Sequence, residues 1–423
     1  MGFKIRVMTP FKKQSIIIIT LIVIIITIVI IIVYRKRLNE ASNVEEVFDT
    51  KNVHIEDLLQ IQELYPLKSL KEFRTYNPSI FTIDNIEKFN HNKNKPYYVF
   101  RMGNFTNCKH VFLKRWNENE LDTIESYTFI LTPENEILKI THPDISIPNC
   151  EKGCEDARAF IHKKRLWMTS SSKSGEGCKA EMYLTIFNLK ELDYRIDGYN
   201  KKLKSTKVEI GKNRTLVNEI KPERFFKLSF SMPEDKGRDQ KNWMPFIYQN
   251  ELYLVYSVNP HVILKCHIDK NNDDKNELVK VFETFNDNIR TDYRGGSQII
   301  YAKKWNKKFI SRKLKRVEKY EAEELFVGII HVREFQSHRY LTYFYAFECQ
   351  PPFRVKYVTD EFIFGNAGEH LKRIQFVSGL ARVYEDNIPY YYITYGQDDC
   401  DAKLCKIRED TILHFFKPVF KPR

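Results

Sequence analysis

The pattern of hydrophobic and polar positions divides the chain into three parts. Residues 16–33 are Ile, Val and Leu, interrupted only by Thr20 and Thr27. Residues 38–74 are polar and charged, with short helical patches between positions 44 and 65. From Tyr76 onward the helical period is absent, and short hydrophobic strands that end in polar residues recur. The pattern predicts a membrane anchor, a stem and a β-rich body.

The β-rich part repeats a two-part unit five times. The second part of each unit is a hydrophobic strand, and the first residues of these strands are 68, 86, 74 and 65 positions apart: 97–101, 165–169, 251–257, 325–331 and 390–396. A polar motif precedes each strand: 77–80, 155–160, 241–246, 294–299 and 377–382. Such repetition predicts a five-bladed β-propeller, in which the first strand of each blade lines a central channel and the polar motifs converge there. A pair of β-sandwiches with accidental periodicity is the alternative.

The apolar segment fits a transmembrane helix, because about 18–20 apolar residues span a bilayer core. A cleaved signal peptide has a shorter apolar region, and Arg35-Lys36-Arg37 follows here instead of a small-residue cleavage site. A buried β-rich segment is the other alternative. We expect a cytosolic tail at 1–14, a signal-anchor at 15–34, a stem at 35–74 and a luminal propeller at 75–417, which is a single-pass type II arrangement. Asn104 and Asn213 head glycosylation triplets, and the layout predicts a secretory-pathway membrane, the Golgi before the cell surface.

Charge does not indicate a nucleic-acid partner. The net charge is +13, but residues 1–37 hold seven cations and no acid, which leaves 13 − 7 = +6 for the other 386 residues. Those remaining cations do not cluster on one helix or stripe, so nucleic-acid binding is not expected. The 24 Tyr and 30 Phe favour β-rich packing.

Eight cysteines, an even number, all follow the predicted anchor and are consistent with disulfides in an oxidising lumen. Close pairs such as Cys150/Cys154 and Cys400/Cys405 are candidates, although eight cysteines allow 105 connectivities. A zinc site is a weak alternative, because the spacings are not of the CxxC type.

The motif Glu155-Asp156-Ala157-Arg158 places two carboxylates and a guanidinium on a predicted inner strand. Strand alternation puts Asp156 and Arg158 on one face and Glu155 on the other. An Asp beside an Arg is normally ionised, so a general-acid role for Asp156 requires burial or substrate contact to raise its pKa. The alternative is a salt bridge that closes a blade.

Other motifs carry candidate chemistry with an ordinary alternative for each. Lys241, Asn242 and Trp243 combine a cation, an amide and an aromatic ring that can stack on a sugar, although core packing explains most Trp residues. His261 follows a strand, where a lone His is more often structural.

Two further motifs contain glycine. Arg294-Gly295-Gly296 lets backbone approach a ligand or forms a bulge. The segment 396–400 contains two acids, which suit either a metal site of sugar-nucleotide transferases or a turn. The sequence contains no GxSxG, P-loop, GxGxxG or HExxH motif, which argues against those hydrolases, kinases and zinc proteases.

Taken in order over residues 76–410, these motifs resemble glycoside hydrolase family 130 and the related β-1,2-mannosyltransferase and phosphorylase families. Asn77-Pro78-Ser79-Ile80, followed by a strand that ends in Arg101, is similar to the opening blade of the family. The motif at 155–158 resembles EDPR, with Ala157 in place of Pro. The motifs at 241–243, 260–261, 294–296 and 396–400 resemble later blades in the same order.

The resemblance implies inverting chemistry on a β-mannoside-type linkage without a metal or other cofactor, with Asp156 as general acid. It implies contacts with the sugar from Asn77, Arg101, Glu155, Arg158, Asn242, Trp243 and Asp399. It implies a basic cradle for phosphate or a donor phosphate from Lys241, His261, Arg294 and Arg333. With the anchor and stem, the expected function is a glycosyltransferase that moves mannose or a related hexose from a nucleotide sugar or sugar 1-phosphate to a glycan acceptor. A glycoside hydrolase or phosphorylase, and a non-catalytic glycan-binding propeller, are the alternatives.

Overall fold

The computed structural model describes residues 55–64, 74–83, 95–103, 126–145, 147–148, 150–189, 207–210, 215–230, 232, 239–269, 276–305, 323–334, 339–365 and 374–419. The predicted anchor at 15–34 and both glycosylation triplets lie outside these residues. Within the described ranges, no helix has the length and apolarity that crossing a membrane requires.

The described residues form a 3-10 turn (Ile55–Leu58), one short helix, α1 (Glu409–Leu413), and a series of strands. In chain order the strands are β1 (Gln60–Glu63), β2 (Arg74–Thr82), β3 (Pro96–Gly103), β4 (Ser126–Leu131), β5 (Ile137–Ile140), β6 (Cys154–His162), β7 (Arg165–Gly175), β8 (Lys179–Asn188), β9 (Lys207–Ile210), β10 (Thr215–Ile220), β11 (Arg224–Leu228), β12 (Met244–Tyr248), β13 (Glu251–Val258), β14 (His261–His267), β15 (Glu277–Thr284), β16 (Arg294–Gly295), β17 (Ile300–Trp305), β18 (Glu323–Arg333), β19 (Tyr340–Glu348), β20 (Val355–Val358), β21 (Gln375–Glu385), β22 (Ile388–Gln397), β23 (Asp401–Arg408) and β24 (Lys417–Pro418).

These strands form five sheets, which confirms the predicted five-bladed propeller. Blade one has the order β2-β3-β4-β5-β10-β9, blade two β6-β7-β8-β11 and blade three β12-β13-β14-β15. In blade four, β16 and β17 both pair with β18, and β19, β20 and β24 follow. Blade five is β21-β22-β23 with β1 at its outer edge.

The outer strand of blade five comes from the other end of the described sequence. Antiparallel pairing joins Gln60 to Lys406 and Glu63 to Lys403. Residues 60–63 were predicted to belong to the stem, and the structure places them in the propeller instead. The ring is therefore closed by a strand that precedes blade one.

The five repeated hydrophobic strands are the second strands of the five blades: β3, β7, β13, β18 and β22. Each is buried along most of its length, and β18 is buried continuously from Leu325 to Val332. A blade packs against a neighbour on both of its faces, so its middle strands have no polar face. This explains why the sequence shows hydrophobic runs instead of alternation.

Hydrophobic side chains fill all five junctions between neighbouring blades. Between blades one and two, the described core includes Tyr97 and Leu166, and between blades two and three it includes Leu184 and Leu254. Between blades three and four it includes Phe246 and Phe326, and between blades four and five Val327 and Tyr391. Between blades five and one it includes Ile80 and Val383. The core is a ring of interfaces, and it holds the inner strands at the centre.

The predicted disulfide pairs differ from the pairing that the structure describes. Cys150 is bonded to Cys178, 28 residues away, because the β7–β8 hairpin brings Cys178 back to the start of β6. Cys154 and Cys405 are free and buried, and Cys400 is disulfide-bonded. Neither Cys150/Cys154 nor Cys400/Cys405 is therefore a disulfide.

Candidate active site

The inner strands of the first three blades share an irregularity, which lies within β2 and β6 and just before β12. Asn77, Asp156 and Asn242 have φ of 46°, 51° and 65°, in the left-handed region. Strand register shifts at the first two of these places, between Tyr76 and Ser79 and between Glu155 and Arg158. Asn and Asp tolerate this conformation better than other residues with side chains. The prediction that simple alternation places Asp156 and Arg158 on one face is therefore wrong, because a bulge separates them.

Asp156 has a neighbour suited to hold its carboxyl group. The side-chain amide of Asn77 donates a hydrogen bond of 2.7 Å to Asp156 Oδ1. Burial raises the pKa of Asp156, and the charge of Glu155 raises it further. The charges of Arg101 and Arg158 and the Asn77 hydrogen bond act in the opposite direction without cancelling the rise. Asp156 thus keeps its proton to a higher pH than an ordinary Asp, as a general acid requires.

Arg101 and Glu155 bind each other beside Asp156. Arg101 Nη2 lies 2.5 Å from Glu155 Oε1 and 3.6 Å from Glu151 Oε2, and its Nε donates to Ser126 Oγ at 2.7 Å. Arg101 is 4% exposed. These contacts join Arg101 and Glu155, two of the predicted sugar-binding residues, in an ion network beside Asp156.

Arg158 joins the inner strands of three blades. It is fully buried, and it donates to the carbonyl of Gly296 at 2.8 Å, to the carbonyl of Asp156 at 2.8 Å and to Asn242 Oδ1 at 3.1 Å. Its hydrogen bond to Asp156 goes to the backbone carbonyl, and not to the carboxylate as in the salt bridge that the sequence offered as an alternative. Burial lowers the pKa of Arg158 to about 10. Arg158 and Asn242 therefore link the inner parts of blades two, three and four.

The glycine pair 295–296 serves close packing between blades. A Cβ on Gly295 would lie 2.1 Å from the carbonyl oxygen of Asn242, and the carbonyl of Gly296 accepts from Arg158. The close approach of the glycine backbone is therefore to Asn242 and Arg158.

Cations gather on the blade-four side of the centre. Arg294 lies opposite His331 in the strand register, and both are next to the exposed Arg333 end of β18. Burial, followed by the charges of Arg158, Arg294 and Lys241, lowers the pKa of His331 to about 3. The imidazole is therefore neutral at physiological pH. Arginine and lysine side chains arranged in this way suit a phosphate group.

Tyr340 connects the acidic and basic sides, and the sequence analysis missed it. Burial raises its pKa, with opposing effects from Arg333 and Arg294 and reinforcing effects from Asp399 and Asp156. Its ring lies 4.9 Å from the ring of His331. The pairing of Tyr340 with Arg333 across the β18–β19 hairpin was the signal that could have revealed it.

Two predicted site residues lie in the core. Trp243 is 2% exposed and packs 5.3 Å from Tyr256, so its ring is not available as a sugar platform. His261 is 1% exposed, donates through Nδ1 to the carbonyl of Phe353 at 2.8 Å and packs against Phe347. Trp243 therefore has the structural role that the sequence offered as the alternative. His261 belongs to the interface of blades three and four.

The two acids after β22 form a turn. Asp398 and Asp399 both have positive φ, and Asp398 Oδ1 accepts a hydrogen bond of 3.1 Å from the backbone of Ile374. Across the part of the chain that the structure describes, no cluster of three or more His, Cys, Asp or Glu is arranged to hold a metal ion.

Comparison with known proteins gives structural likeness only. No family model and no curated protein sequence matches the chain. Similar solved structures include a putative glycosidase from Bacteroides thetaiotaomicron (TM-score 0.45, 11% identity, covering 79% of this chain and 87% of that one). They also include MPT-4, a mannose phosphorylase from Leishmania mexicana (TM-score 0.41, 10% identity, 86% and 94% covered), and a β-1,2-mannobiose phosphorylase from Listeria innocua (TM-score 0.41, 12% identity, 86% and 94% covered). Two of these structures are phosphorylases of the kind named in the predicted resemblance, and the similarity at these identities concerns the fold.

Proposed function

We propose that the chain is an inverting carbohydrate-active enzyme that cleaves or forms a β-mannoside-type bond with phosphate as co-substrate. The observation that carries this proposal is a half-buried acid with a raised pKa, Asp156, at a centre where the charges of Lys241 and Arg294 act on a neutral His331. The acid suits the leaving group, and the cations suit the phosphate.

In the degradative direction, Asp156 gives its proton to the glycosidic oxygen while the bond from that oxygen to the anomeric carbon breaks. A phosphate oxygen forms the new bond to the anomeric carbon from the opposite face, which yields an inverted sugar 1-phosphate. In the synthetic direction, the acceptor hydroxyl oxygen forms the bond to the anomeric carbon as phosphate leaves, and the Asp156 carboxylate takes the hydroxyl proton. Asn77 keeps the carboxyl group in one orientation through both steps.

Hydrolysis fits this site less well. An inverting hydrolase needs a second carboxylate that activates water, about 6.5–9.5 Å from the acid. Glu155, the neighbouring carboxylate, is held by Arg101 at 2.5 Å. A phosphate brings its own nucleophilic oxygen and needs cations, which this site supplies.

A membrane-anchored glycosyltransferase of the secretory pathway is the second candidate, and the apolar segment 16–33 favours it. The Cys150–Cys178 disulfide supports an oxidising compartment such as the lumen. The same cations suit the diphosphate of a nucleotide sugar, and Asp156 would again act on the acceptor hydroxyl.

The test uses the full chain in detergent, with β-linked manno-oligosaccharides and inorganic phosphate. Phosphate-dependent release of mannose 1-phosphate that is lost in Asp156→Asn supports the proposal, with Asp360→Asn, an exposed acid on blade four, as the control. Release of free mannose without phosphate would indicate a hydrolase. Transfer from GDP-mannose to the oligosaccharide would indicate the second candidate, and glycan binding without turnover would contradict both.

A further inference from the structure

The segment 150–153, which leads into β6, is held by contacts to two blades. At its start, Cys150 is bonded to Cys178 in the β7–β8 hairpin. Further along, the carbonyl of Lys152 accepts a hydrogen bond of 2.9 Å from the backbone N–H of Ser126 in blade one. The segment therefore links blade two to blade one.

Gly153 brings the end of this segment close to blade one. Its φ is 93°, in the range that favours glycine, and a Cβ at this position would lie 2.1 Å from the carbonyl oxygen of Ser126. Its own carbonyl accepts a hydrogen bond of 3.0 Å from Ser172 Oγ on β7. The backbone on both sides of Glu151 is thus fixed.

Glu151 contacts Arg101 from this fixed segment. Its Oε2 lies 3.6 Å from Arg101 Nη2, and the same nitrogen lies 2.5 Å from Glu155 Oε1. Arg101 is 4% exposed and Glu151 is 9% exposed. One carboxylate neutralises one guanidinium, and a second buried carboxylate is costly unless it has a counter-charge. The presence of Glu151 is therefore not explained by its pairing with Arg101 alone.

A charge count around Asp156 explains the second carboxylate. Two buried arginines, Arg101 and Arg158, act on the Asp156 carboxyl group through their charges. Glu151 and Glu155 balance these two positive charges. The cluster of five side chains is then neutral when Asp156 carries its proton, and it has a charge of −1 when Asp156 is ionised. Without Glu151, the cluster would become neutral only when Asp156 ionises.

We propose that Glu151 is a positioning residue, which binds Arg101 together with Glu155 and so limits the effect of the Arg101 charge on the Asp156 carboxyl group. The inference rests on the proposed function in one respect, namely that Asp156 is the proton donor. The Cys150–Cys178 bond serves the same end, because it fixes the segment that carries Glu151. Glu151 acts through Arg101 and needs no contact with a sugar.

Other groups that act on the Asp156 carboxyl group stay in place when Glu151 is changed. Those that the structure describes are Glu155 and Arg158 on β6, Arg101 on β3, Asn77 on β2 and Tyr340 on β19. In Glu151→Gln the Arg101 charge, which lowers the pKa of Asp156, is opposed by one of these two carboxylates instead of both. The pKa of Asp156 should therefore fall, and Asp156 should lose its proton at a lower pH.

The first measurement needs no enzyme activity. With the full chain in detergent, the unfolding temperature of Asp156→Asn is compared with that of the parent at about pH 8, where ionised Asp156 destabilises the parent. The same comparison is then made in the Glu151→Gln background. There the gain in unfolding temperature from Asp156→Asn should be smaller by about half, because ionised Asp156 is less destabilising when its pKa is nearer the ordinary value. A purely structural role of Glu151 would lower both unfolding temperatures and leave their difference unchanged.

Glu176→Gln is the matched control, since it removes the same charge from an exposed position on the β7–β8 hairpin and should leave the gain from Asp156→Asn unchanged. Replacing Cys150 and Cys178 together with Ala releases the segment but keeps the Glu151 charge, and it should also reduce the gain. An undiminished gain in the Glu151→Gln background would overturn the role of Glu151. An undiminished gain in the double Ala variant would overturn the role of the disulfide.

The second measurement is the pH dependence of kcat/KM for phosphorolysis of β-linked manno-oligosaccharides. A general acid works only while it is protonated, so the loss of rate at alkaline pH should begin about 0.5–1 pH unit lower in Glu151→Gln than in the parent and in Glu176→Gln. The titration of phosphate itself is common to all three proteins. An equal fall in rate at every pH would contradict the proposal. A chain without phosphorolysis would contradict the proposed function, and the unfolding comparison would still decide whether Glu151 acts on Asp156.

Discussion

Arg158 should be the most costly single side chain to replace at the centre of the ring. Its guanidinium holds the carbonyl of Gly296, the carbonyl of Asp156 and Oδ1 of Asn242, and these belong to three blades. Arg158→Met keeps the length and the apolar stem but has no donor. The variant tests whether the three-way junction is a source of stability or only a consequence of packing.

The magnitude follows from two opposing effects. Three acceptors lose a charged donor, and each such loss costs about 1.5–3 kcal/mol, so about 6 kcal/mol in all. Against this, the lowering of the Arg158 pKa to about 10 corresponds to roughly 3 kcal/mol for burying the charge, which Met does not incur. We expect Arg158→Met to lower the free energy of unfolding by about 3 kcal/mol. Arg158→Lys should not rescue it, because one ammonium keeps the buried charge without the fork of donors.

Chemical unfolding followed by circular dichroism measures both variants. Arg290→Met is the control, since Arg290 is exposed and pairs only locally with Asp292, and its loss should stay within about 0.5 kcal/mol. The reasoning is refuted if Arg158→Met unfolds at the same denaturant concentration as Arg290→Met, or if Arg158→Lys is as stable as the parent.

Three further predictions concern stability. The raised pKa of Asp156 means that its ionised form destabilises the fold. Asp156→Asn should therefore unfold at a higher temperature than the parent at about pH 8, and at an equal temperature at about pH 3, below the ordinary carboxyl pKa. A difference in unfolding temperature that does not change with pH would contradict this. Replacing Cys150 and Cys178 together with Ala opens a loop of 28 residues and should cost about 3 kcal/mol in denaturant titrations, whereas unchanged midpoints would count against the disulfide. Gly396→Ala places a Cβ 1.9 Å from Asn77 Oδ1 and should cost about 1–3 kcal/mol, and a variant as stable as the parent would show that Asn77 is free to move.

The fold was readable from the sequence where burial is continuous. Strands such as β18 lie between two blades, so their hydrophobic runs mark them whatever their partners are. By contrast, β1 has the sequence Gln-Ile-Gln-Glu and lies at an outer edge. Nothing local distinguishes it from a polar stem, because its pairing with β23 is created only when the ring closes.

The sequence indicates which residues belong to the candidate site, but it does not predict their backbone conformation or their hydrogen-bond partners. The motifs named Asp156 and Asn77, and the structure joins these two side chains by a hydrogen bond. The rule of strand alternation does not predict the left-handed backbone at Asp156, because the rule assumes regular φ at every residue. Strand alternation also does not predict most partners of Arg101 and Arg158, since Ser126 lies 25 residues from Arg101 and Gly296 lies 138 residues from Arg158.

The pairing of β1 with β23 imposes an order on the making of this protein. β1 leaves the ribosome before any blade exists, yet its partner residues, 403–406, are synthesised only after more than 330 further residues. Until then blade five lacks its outer strand, and the facing surfaces of blades one and four remain uncovered. Completion of the ring thus depends on long-range contacts, and these form slowly. A ribosome that stalls before residue 403 leaves an open ring with two apolar edges, which is a substrate for chaperones and proteases.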